Sequence, residues 1–296
     1  MLLSTTTAAL QAVFGPQEAV RILKEIGFDA YDMSLTRLHE AGFEFGTENQ
    51  NYVQTAKQLR AYADAIGITC NQSHAPYPLH KDENDPKNRE RNIDWNEHIL
   101  SWCIKALEIT SILGGKHCII HPYNNWSPRE NAERVYQPLL PYAKKFGVKI
   151  AVENMWNWPQ GSPVCAPAAC ALPENFVAHM DLLDPEWFVA CVDIGHGEMF
   201  KGQSSARELL LALGDRVQTL HVHDNDCWHD DHTFPFFGKI DWECILSTLK
   251  EINYQGVFTF EADYPVRKFP NELKQDALTL LYKTGRYLLR RLNEIK

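Results

Sequence analysis

His74, His121, Glu153, Asp193, His196, His223 and Glu261 each stand in or just beyond a short apolar run, in segments such as Ile150-Ala-Val-Glu153, Val189-Ala-Cys-Val-Asp193 and Val257-Phe-Thr-Phe-Glu261. Buried strands are usually apolar throughout, so a metal-binding or proton-carrying group at the same end of each one implies a shared site. Glu153, Asp193, His223 and Glu261 fall at the ends of the fifth to eighth expected strands. Three carboxylates and one imidazole suit Mn2+, Zn2+, Co2+ or Mg2+, with ligand distances of about 2.0–2.2 Å and positions left open for substrate oxygens. The plainer alternative is that each residue separately caps its strand as a hydrogen-bond partner.

A proton α to a carbonyl is too weakly acidic to remove at neutral pH unless a metal polarises that carbonyl and a carboxylate is positioned as base. Glu153 and Glu261 are the candidate catalytic pair. His74 and His121 are candidate substrate or second-metal contacts, and Trp156 is a candidate substrate contact. Among the other histidines, His80, His221 and His229 could line the mouth, with His221 expected to face away from His223. His39, His98 and His179 are expected at the surface, and His117 in a structural role.

Strand ends converge in this way when parallel strands close into a barrel. Short apolar runs alternate with amphipathic stretches along the chain, as repeated strand-helix units require. Strands are expected at Leu2–Thr6 and Ala30–Met33, and helices at about 16–26, 53–66, 95–113, 130–146, 204–213, 242–252 and 271–292, most of them stopped by glycine. Three loops exceed what connection requires: Ala75–Asp94, Asn154–Leu172 and Asp224–Asp241. All follow strands, on the face where barrel active sites form. The second carries Trp156, Trp158 and three prolines, suited to cover a site or stack on a sugar ring, or else to pack as a lid or make a subunit contact in a homo-oligomer.

The 296 residues, 45% hydrophobic, fit one (β/α)8 barrel spanning 1–296. A formal charge of -9 and a pI near 5.7 offer no broad basic surface for nucleic acid. Eight cysteines lack CxxC spacing, which reads as reduced thiols in a cytoplasmic protein, with Cys165 and Cys170 the one pair close enough to check. No stretch reaches the roughly 18 apolar residues of a membrane span, and the N-terminus has no basic leader.

The segments Ser73-His-Ala-Pro76, Glu153-Asn-Met155, Val192-Asp-Ile-Gly-His196, Leu220-His-Val-His-Asp-Asn-Asp226, Asp230-Asp-His232 and Gly238-Lys-Ile-Asp-Trp242 resemble, in that order, the xylose isomerase-like superfamily, and most closely its sugar phosphate isomerase/epimerase branch. The resemblance implies a xylose isomerase-like TIM barrel that isomerises or epimerises a small polyhydroxylated carbonyl substrate. It implies one divalent metal on Glu153, Asp193, His223 and Glu261, proton exchange by the two glutamates, and a substrate contact from His196. The ketose 3-epimerases carry an arginine shortly after the strand-seven histidine, where this chain reads Asp224-Asn-Asp-Cys-Trp-His229.

A related resemblance is to endonuclease IV-type apurinic enzymes, whose three-zinc ligand types match His74, His121, Glu153, Asp193, His196, His223, Asp230, His232 and Glu261; it implies a candidate second metal site at Asp230 and His232. The acidic charge and the short spacing from His223 to Asp230 weigh against that activity. A lyase of the inosose or dehydroshikimate dehydratase type, and a non-catalytic sugar-binding barrel, are the remaining alternatives.

Overall fold

Strands that are apolar on both sides need cover on both, and here they find it by curling into a ring with helices outside. The computed structural model describes residues 1–46, 48–162, 164–200 and 202–295. Its parallel strands are β1 (Leu3–Thr6), β2 (Ala30–Ser34), β3 (Thr69–His74), β4 (His117–Ile119), β5 (Lys149–Glu153), β6 (Phe188–Asp193), β7 (Val217–His221) and β8 (Phe258–Phe260), each beside the next in chain order. β8 pairs back onto β1 in the register Leu3 to Phe258. The seam between β7 and β8 is closed by two backbone bonds, Val222 N to Thr259 O at 2.9 Å and Glu261 N to Val222 O at 3.1 Å.

Alternation along the strands decides what reaches the interior. On β5, Ile150 and Val152 join the large outer core under the helices, whereas Ala151 packs with Ile119, Val189 and Cys191 in a separate small cluster. Ile119, Ala151, Val189 and Cys191 thus fill the barrel below, and the next inward positions, Glu153 and Asp193, stand above them.

The helix Pro16–Ile26 begins at its proline and ends at Gly27, whose left-handed φ of 116° lets its N–H close on Leu23 O and Lys24 O. The expected helices at about 53–66, 204–213 and 242–252 form as Tyr52–Ile66, Ala206–Leu213 and Trp242–Glu251. A helix at Ala8–Phe14 and another at Pro173–Met180 were not foreseen, and the helix expected from Trp95 begins at Arg89, shortening the loop before it. The stretch expected as one helix near 130–146 is instead Pro128–Asn131, a wider turn through Ala132–Tyr136, and Gln137–Phe146. Pro138 and Pro141 have no N–H for a continuous ladder. Among the described residues no helix is long and apolar enough to cross a membrane, and all eight cysteines, Cys165 and Cys170 included, are free thiols.

Candidate metal centre

The ends of β3 to β8 bring every proposed site residue to one mouth. Glu153 is the hub. Its Oε2 lies 3.2 Å from His121 Nε2, 3.2 Å from His221 Nδ1 and 3.8 Å from His74 Nε2, and its Oε1 lies 3.5 Å from His196 Nδ1. Glu261 Oε2 lies 3.2 Å from the same His221 Nδ1. Asp193 Oδ1 is 3.0 Å from His223 Nε2, and Asp230 bridges His196 at 3.4 Å, His223 at 3.7 Å and His232 at 3.0 Å.

One expectation is corrected here. His221 does not face away from His223: residues two apart on a strand share a face, and the residues between and before them, Val222 and Leu220, are the ones in the outer core. The donor atoms that come within 4.8 Å of one another are Glu153, Asp193, His221 and Glu261 in an inner group, with His74, His121 and Glu153 beside it. His223 joins His196, Asp230 and His232 in an outer group instead. The fourth residue of the inner set is therefore His221, and Asp230 and His232 acquire two further imidazoles.

The imidazoles are held in defined orientations. His74 donates from Nδ1 to Ala75 O at 2.8 Å, His196 to Asn154 O at 2.9 Å and His232 to Glu261 O at 2.6 Å. Carbonyl oxygens only accept, so each Nδ1 carries hydrogen and each Nε2 is presented to the carboxylates, the arrangement that prepares a histidine to ligate a metal. Buried atoms left without a hydrogen-bond partner include Glu153 Oε2, Asp193 Oδ2, both nitrogens of His221, His223 Nε2 and Asp230 Oδ1. Unsatisfied buried polar atoms cost free energy, and a divalent cation is the ligand that would satisfy acceptors converging like these.

Without a cation the cluster is held by protons. Burial opposes charge on His232, but Asp230 outweighs it and raises that imidazole to about 10. Burial likewise opposes charge on His196 and His221, yet both are held above the usual range, His196 by Asp193, Asp230 and Glu153, and His221 by Cys191 together with Glu261, Glu153 and Asp32. Glu153 and Asp230 are drawn well below the carboxylate range, the imidazoles overcoming burial. Burial together with neighbouring imidazole His121 lowers His74 to about 3, and burial raises Glu261 to about 8.

Neighbouring residues explain why the motifs read as they do. Asn154 clamps β5 to β6, accepting from Asp193 N at 2.8 Å and donating to Asp193 O at 2.9 Å. A side chain at Gly195 would overlap the His223 ring, and one at Gly238 would overlap Asp224. Asp224 is buried and structural, accepting from Trp242 Nε1 at 3.0 Å and Phe236 N at 2.8 Å.

Above the cluster lies a cavity of about 360 Å³ that also admits Trp156, Trp158, Tyr77, Tyr264, Asn124 and Asn157. Tyr77, Tyr264 and Asn124 carried no signal in the sequence, because Tyr77 and Asn124 sit in loops, and Tyr264 at the start of the short helix Tyr264–Lys268, whose paths depend on the rest of the barrel. Of the loop's three prolines, Pro163 lies outside the described residues. His80 packs on Tyr123 and Trp126, and His229 stacks on Trp158. His98 is exposed and His39 packs on Trp95. His179 is not at the surface: it is 1% exposed, with Nδ1 bonded to Asn175 O and Nε2 to Asn131 Nδ2.

Comparison with known proteins agrees with this architecture. The family described as Xylose isomerase-like TIM barrel matches residues 20–284. The y4fM protein of Sinorhizobium fredii is 26% identical over 190 residues, which are 59% of this chain and 56% of that one. The MJ1311 protein of Methanocaldococcus jannaschii is 26% identical over 168 residues, 54% of this chain and 55% of that one. The chain thus spans little more than half the length of these relatives. A solved D-tagatose 3-epimerase-like protein superposes with a TM-score of 0.72 at 19% identity, covering 99% of both chains. The IOLI protein with a binding zinc atom gives 0.71 at 18% identity over 99% of both. The 3-keto-D-glucoside 4-epimerase YcjR from E. coli gives 0.64 at 17%, over 96% of this chain and 99% of that one. Likeness at such identities establishes the fold.

Proposed function

The chain belongs to the xylose isomerase-like TIM barrel family, and from that premise we propose that it is a divalent-metal-dependent isomerase or epimerase of a sugar or sugar phosphate. The observation that carries the reading is the pair Glu153 and Glu261, each 3.2 Å from one nitrogen of His221 at the floor of a cavity walled mainly by aromatic and imidazole rings. The epimerases with the same barrel, and the zinc in one of its relatives, lend it support.

Glu153, Asp193, His221 and Glu261 would hold the metal, and His196, His223, Asp230 and His232 a second ion. Bound there, the metal supplies Lewis-acid polarisation of the substrate carbonyl. The chain's own part is proton transfer. A carboxylate on one side of the carbon takes the α proton; epimerisation follows when the other carboxylate returns a proton to the opposite face of that carbon, and isomerisation when a proton is returned to the adjoining carbon that carried the carbonyl. His74, His121 and His196 border the same space and bind substrate hydroxyls, and Trp156 offers a face to the sugar ring. The eight free thiols fit a reducing, cytoplasmic setting.

The test is exchange of solvent deuterium into ketoses and inososes by chelator-stripped protein given back Mn2+, Zn2+, Co2+ or Mg2+. We expect metal-dependent exchange that falls at least about 100-fold in Glu153→Gln and in Glu261→Gln. Exchange that is absent, or indifferent to both substitutions, would overturn the reading. Loss of hydroxide instead of return of the proton would identify the lyase chemistry. The outer donor group gives the endonuclease reading its one specific support. Against it, no lysine or arginine lines the cavity among the described residues. Nicking of abasic DNA would decide for it.

A further inference from the structure

We infer that the substrate is an uncharged, two-part carbohydrate: its reacting unit sits over Glu153 and Glu261, and a second ring or aglycone lies on Trp158. The inference rests on the proposed isomerase or epimerase reading and specifies its substrate class.

Three observations support it. First, an aromatic track leads out of the cluster. His196 lies 6.5 Å from Trp156 between ring centroids, Trp156 lies 6.5 Å from Trp158, and Trp158 stacks on His229 at 5.7 Å and 24°. The inner end of that track meets the carboxylates, whereas its outer end leaves Trp158 44% exposed to solvent. A single sugar on the carboxylates would leave this surface unused. Second, the track is built to stay in place: Asn124 Nδ2 donates to Trp156 O at 2.8 Å and to Asn157 Oδ1 at 3.0 Å. The apolar face of a sugar ring, or an aromatic aglycone, is the chemistry that a fixed indole face receives.

Third, among the described lining residues there is no lysine or arginine. Arg267, beside Tyr264, is turned to Asp263, with Nε 2.8 Å from its Oδ2. A phosphoryl group in the outer cavity would find no lysine or arginine, and the lining imidazoles His196 and His232 are already turned to Asp230 at 3.4 and 3.0 Å, so the second part of the substrate is neutral.

Calorimetric titration of the metal-loaded protein tests this with a set of ligands that share one reacting unit. They are D-fructose, D-fructose 6-phosphate, and the five glucosyl-fructoses joined through O1, O3, O4, O5 or O6. We expect one glucosyl-fructose to bind about 10-fold tighter than D-fructose, with the 6-phosphate no tighter than D-fructose. Trp158→Ala should bring that preference to near one, while Trp158→Phe, which keeps a ring, should retain most of it. Equal binding of fructose and all its glucosides, or a preference that survives Trp158→Ala, overturns the two-part substrate and leaves the isomerase reading standing. Tightest binding of the 6-phosphate overturns the neutral character. Absence of binding by every sugar, together with absence of deuterium exchange, overturns the proposed function and this inference with it.

Discussion

His221 and His223 lie two residues apart on one inward-facing row, and the barrel assigns them to different carboxylates. His221 is the deeper: it is fully buried, with Nδ1 between Glu153 and Glu261 and Nε2 3.6 Å from Asp32 Oδ2. His223 sits above it against Asp193 and stacks on His232 with ring centroids 4.1 Å apart. The two are therefore separable by substitution. His221→Asn should abolish deuterium exchange and weaken the inner ion at least about 10-fold, while His223→Asn should principally lower occupancy of the outer group. Metal content per chain after dialysis, measured beside the exchange rate, checks this. Loss of exchange in His223→Asn with His221→Asn nearly unaffected would restore the pairing that the motif alone suggests. Glu153, Asp193, Glu261, His74 and His121 were legible because an ionisable group at the end of an apolar run has few structural uses. His221 was not, because the reading that faced it outward took the strand alternation out of phase.

At the scale of elements, the strands and their glycine-terminated helices follow from local signals, as Gly27 and Gly67 illustrate at the ends of Pro16–Ile26 and Tyr52–Ile66. Less legible was what tertiary packing decides, such as the short helix Pro173–Met180, docked against the segment after β4 through His179. His179 donates from Nδ1 to Asn175 O at 2.8 Å, and its Nε2 lies 3.2 Å from Asn131 Nδ2, an amide donor. The ring is therefore neutral in the fold, and burial lowers its proton affinity below the ordinary histidine value. A depressed folded value means that the unfolded chain binds the proton more tightly. The stabilisation is then present above about pH 6.5, the ordinary histidine value, and is lost as pH falls through the folded value. One such proton steepens the loss by at most about 1.4 kcal/mol per pH unit. Thermal melts from pH 7 to pH 5 should show a shallower decline for His179→Gln than for the parent chain. Equal slopes would mean that protonation of His179 does not couple to unfolding.

For the whole molecule, the cluster works as a fastener across the open end of the barrel. Its donors come from β3 and β5 to β7, or from the segments that follow β4, β6, β7 and β8, and among the described residues two backbone bonds at Val222 complete the closure between β7 and β8. The protonated imidazoles His196, His221 and His232 balance the carboxylates in the bare chain. A divalent cation takes over that balance and expels protons as it binds, so its apparent affinity should rise with pH. Because the unfolded chain scatters these ligands over nearly 190 residues, from His74 to Glu261, the cation binds the folded state selectively. At a concentration 100 times its Kd it then adds about 2.7 kcal/mol. For a chain of 296 residues that corresponds to a rise in Tm of roughly 4 °C. Melting chelator-treated protein with and without Mn2+ or Zn2+ should show this increment, larger at pH 8 than at pH 6. A Tm indifferent to the metal at both pH values would mean that protons, and not a cation, are what the mouth of this barrel holds.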